Sequence, residues 1–407
     1  MIGYSLVGFI VSRWIWLEMV NFILPSRDVK DFISDKKMIL HYWFVKNSID
    51  ANIMTLDQAI DSEENFVYTL YPEEPWNVSE HIKKLITEFS TELVDCINSG
   101  RCNFVINDSI EGHKWSPPSA GSFNNTEIFM DYLKEEVIDP SKVIVLSQSW
   151  SYIYNDMPFR LVLWSWHESV MSENAKPMDI PRHNFAKKFL CLNLYNKQAR
   201  FYFIYQMYKN NLLEEFNFSH SKVTSEDDFD MWDIWPWTDD MTEFAKTTPH
   251  IYDNGGGPSF TFIEIVPKHR QDNYIYVVTE SVFNYSRPYN SFDGMTRDTS
   301  EKTWKPIALK MPFIMLHQPF ALKRLRDMGY KTFHTIWDES YDEIVDCNKR
   351  MTAIVDLVKS LSSREDFVDM IESCDDIVEH NFKMLKLRSP EQDMIREVSR
   401  FVEKKDD

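Results

Sequence analysis

Several features common in small stapled, metal-bound or membrane-spanning proteins are missing from this chain. Ten glycines in 407 residues are too few for a repeat or low-complexity chain, and no internal period is visible. The five cysteines, Cys96, Cys102, Cys191, Cys347 and Cys374, are odd in number, scattered, and form no CxxC pair. That argues against a disulfide framework and fits buried free thiols in a reducing compartment. There is no HExxH, and the lone dipeptide His167-Glu168 is weak as a metal signature, so no metal ligands are expected. Basic charge is short as well. With 44 Lys and Arg against 63 Asp and Glu, the net charge of −19 argues against a general grip on nucleic acid.

Long apolar runs are lacking too. Residues 1–24 are rich in Ile, Val, Trp and Phe, but Arg13 and Glu18 interrupt them. The charge-free run is shorter than the ~20 residues a bilayer requires. It also has no basic leading region and no small-residue cleavage site. Three readings stand: a packed helix, an interfacial anchor in peripheral contact with a membrane, or an extension outside the fold.

What is present is enough apolar material for real cores. With 43% hydrophobic and 14% aromatic residues the chain is globular, and its length suits two domains of about 150–200 residues each. Residues 38–45 (MILHYWFV), 104–106 and 143–146 read as strands, and 80–96 and 128–137 as helices. Strand and helix alternate, which predicts a parallel α/β domain. Residues 174–184, with Pro177 and Pro181, read as a linker. A second unit then opens with a strand over 187–193 ending on Asn193, followed by a helix over 198–210 that carries Arg200. Residues 225–244 are acidic, tryptophan-rich and aperiodic. They read as a loop packing its aromatics on the domain face, or as a lid whose indoles stack on a ligand. The triple glycine at 254–258 lacks a following Lys-Ser/Thr and reads as a turn. From 344 onward the pattern is helical, over 344–361, 364–387 and 390–404.

The most informative stretch is 274–317. An apolar run ends on Thr279-Glu280-Ser281, a polar loop follows, Ser300 can cap a helix opening with Glu301-Lys302, and a second apolar run covers 312–316. Two buried strands joined by a helix predict a βαβ unit. Ligands of such sheets bind beyond the carboxyl ends of the strands. A helix N-terminus beside an ammonium suits a phosphate, and a carboxylate suits ribose hydroxyls. Lys302, Lys305, Lys310, Lys323, Arg324 and Arg326 make the region basic for its length, either as a solvated face or beside an anionic ligand.

This stretch resembles the α1,3-fucosyltransferases. The matching residues are Thr279-Glu280-Ser281, Ser300-Glu301-Lys302-Thr303-Trp304 and Met311-Pro312-Phe313-Ile314. It departs from them at Ser281, where Asn is expected, and at Pro306, expected to interrupt the helix. It is more similar still to phage and environmental glycosyltransferase-type proteins with a Thr-Glu-Lys-Thr-Phe-Lys-Pro-Ile motif. Those share the downstream Gly329-Tyr330-Lys331-Thr332-Phe333 and Asp338-Glu339-Ser340-Tyr341-Asp342. The resemblance covers the second half of the chain well and the first half poorly. It implies two Rossmann-like domains in a GT-B-like arrangement with a helical C-terminal segment that returns to the first domain. The expected bounds are an apolar segment 1–26, an acceptor-side domain 27–180, a nucleotide-sugar domain 181–342 and helices 343–407.

It further implies an inverting transfer of a sugar from a nucleotide-sugar donor to a glycan or a modified DNA base in the cytoplasm, with no other cofactor. Lys302 and Arg200 would meet the diphosphate, Glu301 or Glu280 the ribose, with Asn193 and Ser300 at the same strand-to-helix junctions. Each has a plainer role: a helix-dipole carboxylate, a surface lysine, an Arg200 paired to Glu214 or Glu215, an Asn193 cap. The acceptor's base would come from the first domain, with Glu111 the first choice, then Asp108 and His113, and Glu168 a further candidate. Two other classes remain open: a non-catalytic nucleotide- or carbohydrate-binding protein of the same fold, and a structural interaction protein.

Overall fold

The apolar runs at 104–106, 143–146, 187–193, 274–278 and 312–316 do form strands that pair side by side, and every ladder between strands among the described residues is parallel. The computed structural model describes residues 20–23, 51–70, 86–87, 89–108, 125–147, 158–177, 180–183, 186–193, 195–229, 234–252, 264–281, 283, 299–388 and 390–403. The expected strand over 38–45, the glycine turn over 254–258, and most of residues 1–24 lie outside them.

Among the described residues the first sheet has six strands in the order β2-β1-β3-β4-β5-β6. These are β1 Val20–Ile23, β2 Ala51–Met54, β3 Phe66–Leu70, β4 Cys102–Asp108, β5 Val143–Ser147 and β6 Arg160–Leu163. Helices α1 Leu56–Asp61, α2 Thr91–Asn98, α3 Asn125–Glu135 and α4 Trp166–Asn174 are interleaved with them. The described end of the apolar N-terminal segment, residues 20–23, forms strand β1. Val20–Ile23 lies inside the sheet between β2 and β3, with Phe22 and Ile23 buried, so its apolar character serves the core. The helix expected over 80–96 is corrected. Phe89 N–H closes a turn on the Ile86 carbonyl, and Ser90 then caps α2 through the Leu93 N–H, so this helix starts at Thr91.

Among the described residues the second sheet has four strands in the order β10-β9-β7-β8. They are β7 Lys187–Leu192, β8 Phe216–Ser219, β9 Asn273–Thr279 and β10 Phe313–Leu316. Helices α5 Gln198–Lys209, α6 Asp239–Ala245, α7 Pro267–Gln271 and α8 Glu301–Ala308 lie between them in the chain. The expected βαβ unit is present as β9-α8-β10, with Leu316 in register with Thr279. Pro306 does not break α8, which runs two residues past it. The lost N–H shortens the internal ladder of a helix that is held instead by burial of Trp304, Ile307 and Ala308. After β8 the chain returns to the opposite side of β7, so the sheet reverses direction between β7 and β9.

Helices α9 Ala321–Asp327, α10 Cys347–Ser362, α11 Phe367–Glu372, α12 Asp375–Leu387 and α13 Pro390–Glu403 complete the chain order. Asp346 delays the start of α10 by capping it through the Lys349 N–H. The run read as one helix over 364–387 is two, α11 and α12. Helix α13 packs on the first sheet, where Met394, Ile395 and Val398 bury against Phe22, Val67, Val105, Ile144 and Val162. The architecture is therefore α/β, built on two Rossmann-like parallel sheets. Among the described residues no helix is long and apolar enough to cross a membrane.

The tryptophan-rich stretch packs on the fold. Trp235 stacks on Tyr202 at 4.1 Å and 5°, and Trp237 on Phe201 at 5.3 Å and 16°. The shared motifs downstream also act as scaffold. Asp342 caps α9 by accepting from the Leu322 and Lys323 N–H groups, both at 2.9 Å. Glu339 accepts from the Phe333 N–H at 2.8 Å. Gly329 takes φ +93°, which a side chain rarely adopts, so glycine suits this turn.

Candidate functional site

In a parallel sheet the crevice lies where strand order reverses, beyond the carboxyl ends. Here that place is the end of β7 and β9. Asn193, one residue past β7, accepts a 2.5 Å hydrogen bond through Oδ1 from the Thr279 hydroxyl at the end of β9. Arg200, in the first turn of α5, is 1% exposed. Its guanidinium donates to the Thr279 carbonyl (3.1 Å), the Ser281 hydroxyl (3.1 Å) and the Tyr195 carbonyl (3.4 Å). The alternative pairing with Glu214 or Glu215 does not form, since Lys187 and Lys188 face those two. Burial lowers the Arg200 pKa, partly offset by Glu280 and Glu301.

Glu280 follows β9 directly and is 4% exposed. Its carboxylate accepts from the Ser300 N–H (3.0 Å), the Ser300 hydroxyl (2.6 Å) and the Thr303 hydroxyl (2.7 Å). It thereby ties the strand end to the first turn of α8. Burial pushes this carboxyl up, but Lys302, His317 and the Ser300 hydroxyl outweigh it and hold it below the ordinary range. Ser300 caps α8 as expected, its Oγ accepting from the Lys302 N–H. Lys302 donates two of its three ammonium N–H groups, to Ser300 Oγ at 3.2 Å and Glu301 Oε1 at 2.8 Å.

The structure thus brings Asn193, Arg200, Glu280, Ser300, Glu301 and Lys302 to one place. Of the expected bases, Glu111 and His113 lie outside the described residues. Asp108 ends β4, paired in register with Ser147, and only its backbone is described. Glu168 is fully buried and committed. Tyr330 donates to it at 2.8 Å and Arg388 lies at 3.2 Å, which makes it an anchor of α4 against the second half of the chain.

Sequence reasoning passed over His167, which entered only as half of a weak metal dipeptide. It sits in the first turn of α4, directly after the edge strand β6 of the first sheet. Its Nε2 is 3.8 Å from Glu301 Oε2, in the first turn of α8. Side chains from the first turns of two helices, one following each sheet, therefore meet here, and a helix N-terminus favours an anion close to it. The available signal was Ser165, with Glu168 three residues later and an apolar strand before it, which is the spacing of a helix start. Among the described residues no group of three or more His, Cys, Asp or Glu side chains could hold a metal ion.

No family model matches the chain. The chain is similar to lysophospholipid acyltransferase 6 of Drosophila melanogaster, 28% identical over 109 residues, which are 24% of this chain and 15% of that protein. The match thus spans about a seventh of that relative's length.

Proposed function

We propose that this chain is a nucleotide-sugar-dependent glycosyltransferase with a GT-B-like arrangement of its two sheets. The observation that carries the reading is the meeting of Arg200, Lys302 and the α8 N-terminus at the reversal point between β7 and β9, opposite the N-terminus of α4. Glycosyl transfer to a hydroxyl makes a diphosphate leaving group, and its developing charge must be met. Lys302 and Arg200 supply two cations, and the two helix ends supply partial charges. Glu301 orients the Lys302 ammonium through Oε1. Glu280 already accepts three hydrogen bonds and acts as the clamp that holds α8 in place. The acceptor is a hydroxyl of a glycan or a modified DNA base, entering from the side of the first sheet.

The test is thermal unfolding of the parent protein with UDP, GDP, CDP and their sugars. A ligand at a hundredfold excess over its Kd stabilises by about 2.7 kcal/mol, a readily measured shift. Lys302→Ala should weaken the effective nucleotide by about tenfold or more, since a charge-assisted contact contributes about 1.5–3 kcal/mol. If no nucleotide raises the melting temperature, the reading is wrong. Acylation of a lysophospholipid in the same preparation would move it to acyl transfer.

A further inference from the structure

We propose that His167 is the base that takes the proton from the acceptor hydroxyl, an assignment that rests on the glycosyl-transfer reading above. Three observations carry it. The first is place: His167 enters from α4, which follows the first sheet, and so faces the nucleotide-holding α8 from the acceptor side. The second is the pairing of its ring. Glu301 Oε2, 3.8 Å from Nε2, favours the tautomer with its proton on Nε2. The third is the other nitrogen. His167 is 7% exposed, yet its Nδ1 has no hydrogen-bond partner. A buried acceptor left unpaired costs about 1–3 kcal/mol, a cost relieved when a ligand donor completes it.

Two further buried polar atoms without a partner belong to the same carboxyl edge of the second sheet. They are Thr299 Oγ1, next to the cap of α8, and Gln318 Oε1, just past β10. A hydroxyl donor and a carbonyl acceptor suit a polyhydroxylated ligand.

The groups facing His167 are Glu301, Glu280 and Lys302, with the Trp166 ring at 5.2 Å. Burial, aided by Lys302, lowers the imidazole pKa despite the two carboxylates, so it is neutral at pH 7 and able to accept a proton. In the reaction the acceptor oxygen bonds to the anomeric carbon while the bond from that carbon to the diphosphate oxygen breaks. The leaving diphosphate keeps the electron pair beside Lys302 and Arg200. The acceptor proton moves to Nδ1, Glu301 stabilises the imidazolium, and solvent later takes the proton.

The experiment uses the full chain with GDP-, UDP- and CDP-hexoses and reads nucleoside diphosphate release, with water serving as acceptor. For the parent, release should hold at pH 6.5 and above and fall only as pH drops through the lowered imidazole value. His167→Gln should lower the rate by about 10²–10⁴-fold, abolish that acid limb, and leave thermal stabilisation by GDP or UDP intact. A parent that turns over while His167→Gln stays within about threefold of it overturns the assignment and leaves the functional reading standing. If that variant does not fold, His167→Asn is the second variant, and turnover within about threefold of the parent overturns the assignment equally. A parent that neither binds nor consumes any nucleotide sugar removes both.

Discussion

Glu280 offers the sharpest test of how this site is held together. Its carboxylate is an acceptor for three hydrogen bonds, from the Ser300 N–H, the Ser300 hydroxyl and the Thr303 hydroxyl. In Glu280→Gln the amide oxygen can still serve Ser300 N–H and Thr303. The amide NH₂ would then point at Ser300 Oγ, which already accepts from the Lys302 backbone N–H and ammonium. A hydroxyl has two lone pairs, so the new donor is left unsatisfied. The loss of one charge-assisted bond corresponds to about 1.5–3 kcal/mol. Glu280→Ala removes all three and should cost about 3–5 kcal/mol, as for breaking a buried ionic contact.

Urea unfolding at pH 7 measures both variants. The pH dependence supplies the sign. The Glu280 pKa is lowered in the fold from an ordinary value of 4.5, so its stabilisation is present above 4.5 and lost as pH falls through the lowered value. The gap between parent and Glu280→Gln should therefore close in acid. A Gln variant within about 0.5 kcal/mol of the parent at pH 7 would refute the clamp, because a buried anionic acceptor cannot be replaced so cheaply.

Other outcomes follow from the same packing. Tyr330→Phe removes the hydroxyl that donates to buried Glu168 and should cost about 1–3 kcal/mol in urea unfolding, whereas a neutral result would show that Arg388 alone suffices. Burial drives the His220 pKa down to about 4, helped by Arg200 and His250. Its contribution to stability is thus full above 6.5 and lost as pH falls toward 4, worth about 3 kcal/mol, and His220→Phe should flatten that part of the stability–pH curve. Ile395→Ala on α13, at a side chain 4% exposed, should lower stability by about 2–5 kcal/mol if the C-terminal helix is integral to the first sheet's core. A variant as stable as the parent would mean α13 is a detachable tail.

How much of this was legible in the chain differs from one half to the other. The second half carries strong local signals. Strands β7, β9 and β10 are short apolar runs bounded by polar residues, and Ser300 is a cap of ordinary chemistry. Asn193, Arg200, Glu280, Ser300, Glu301 and Lys302 converge because all stand at strand-to-helix junctions of one parallel sheet, and local pattern reveals such junctions. The first half was harder. Val20–Ile23 sits in an apolar segment whose pattern does not distinguish a buried strand from a helix, and only pairing with β2 and β3 decides it. Pro306 misled because propensity predicts a break, whereas α8 is stabilised by tertiary burial.

Local sequence chemistry by itself determined the α/β class, the β9-α8-β10 unit, and the identity of the residues that end its strands and start its helix. These depend on periodicity, capping and turn chemistry, which act over a few residues. Only the tertiary structure decided that Glu280 is a clamp, that Glu168 is an anchor, and that His167 faces Glu301 across the two sheets. The Glu168 and His167 roles depend on buried polar atoms that meet across more than a hundred residues of chain, the Glu280 clamp on atoms 20 to 23 residues apart, and the His167 role also on an atom that finds no partner. No local pattern encodes that, because the cost of an unpaired buried group is set by neighbours that folding alone brings together.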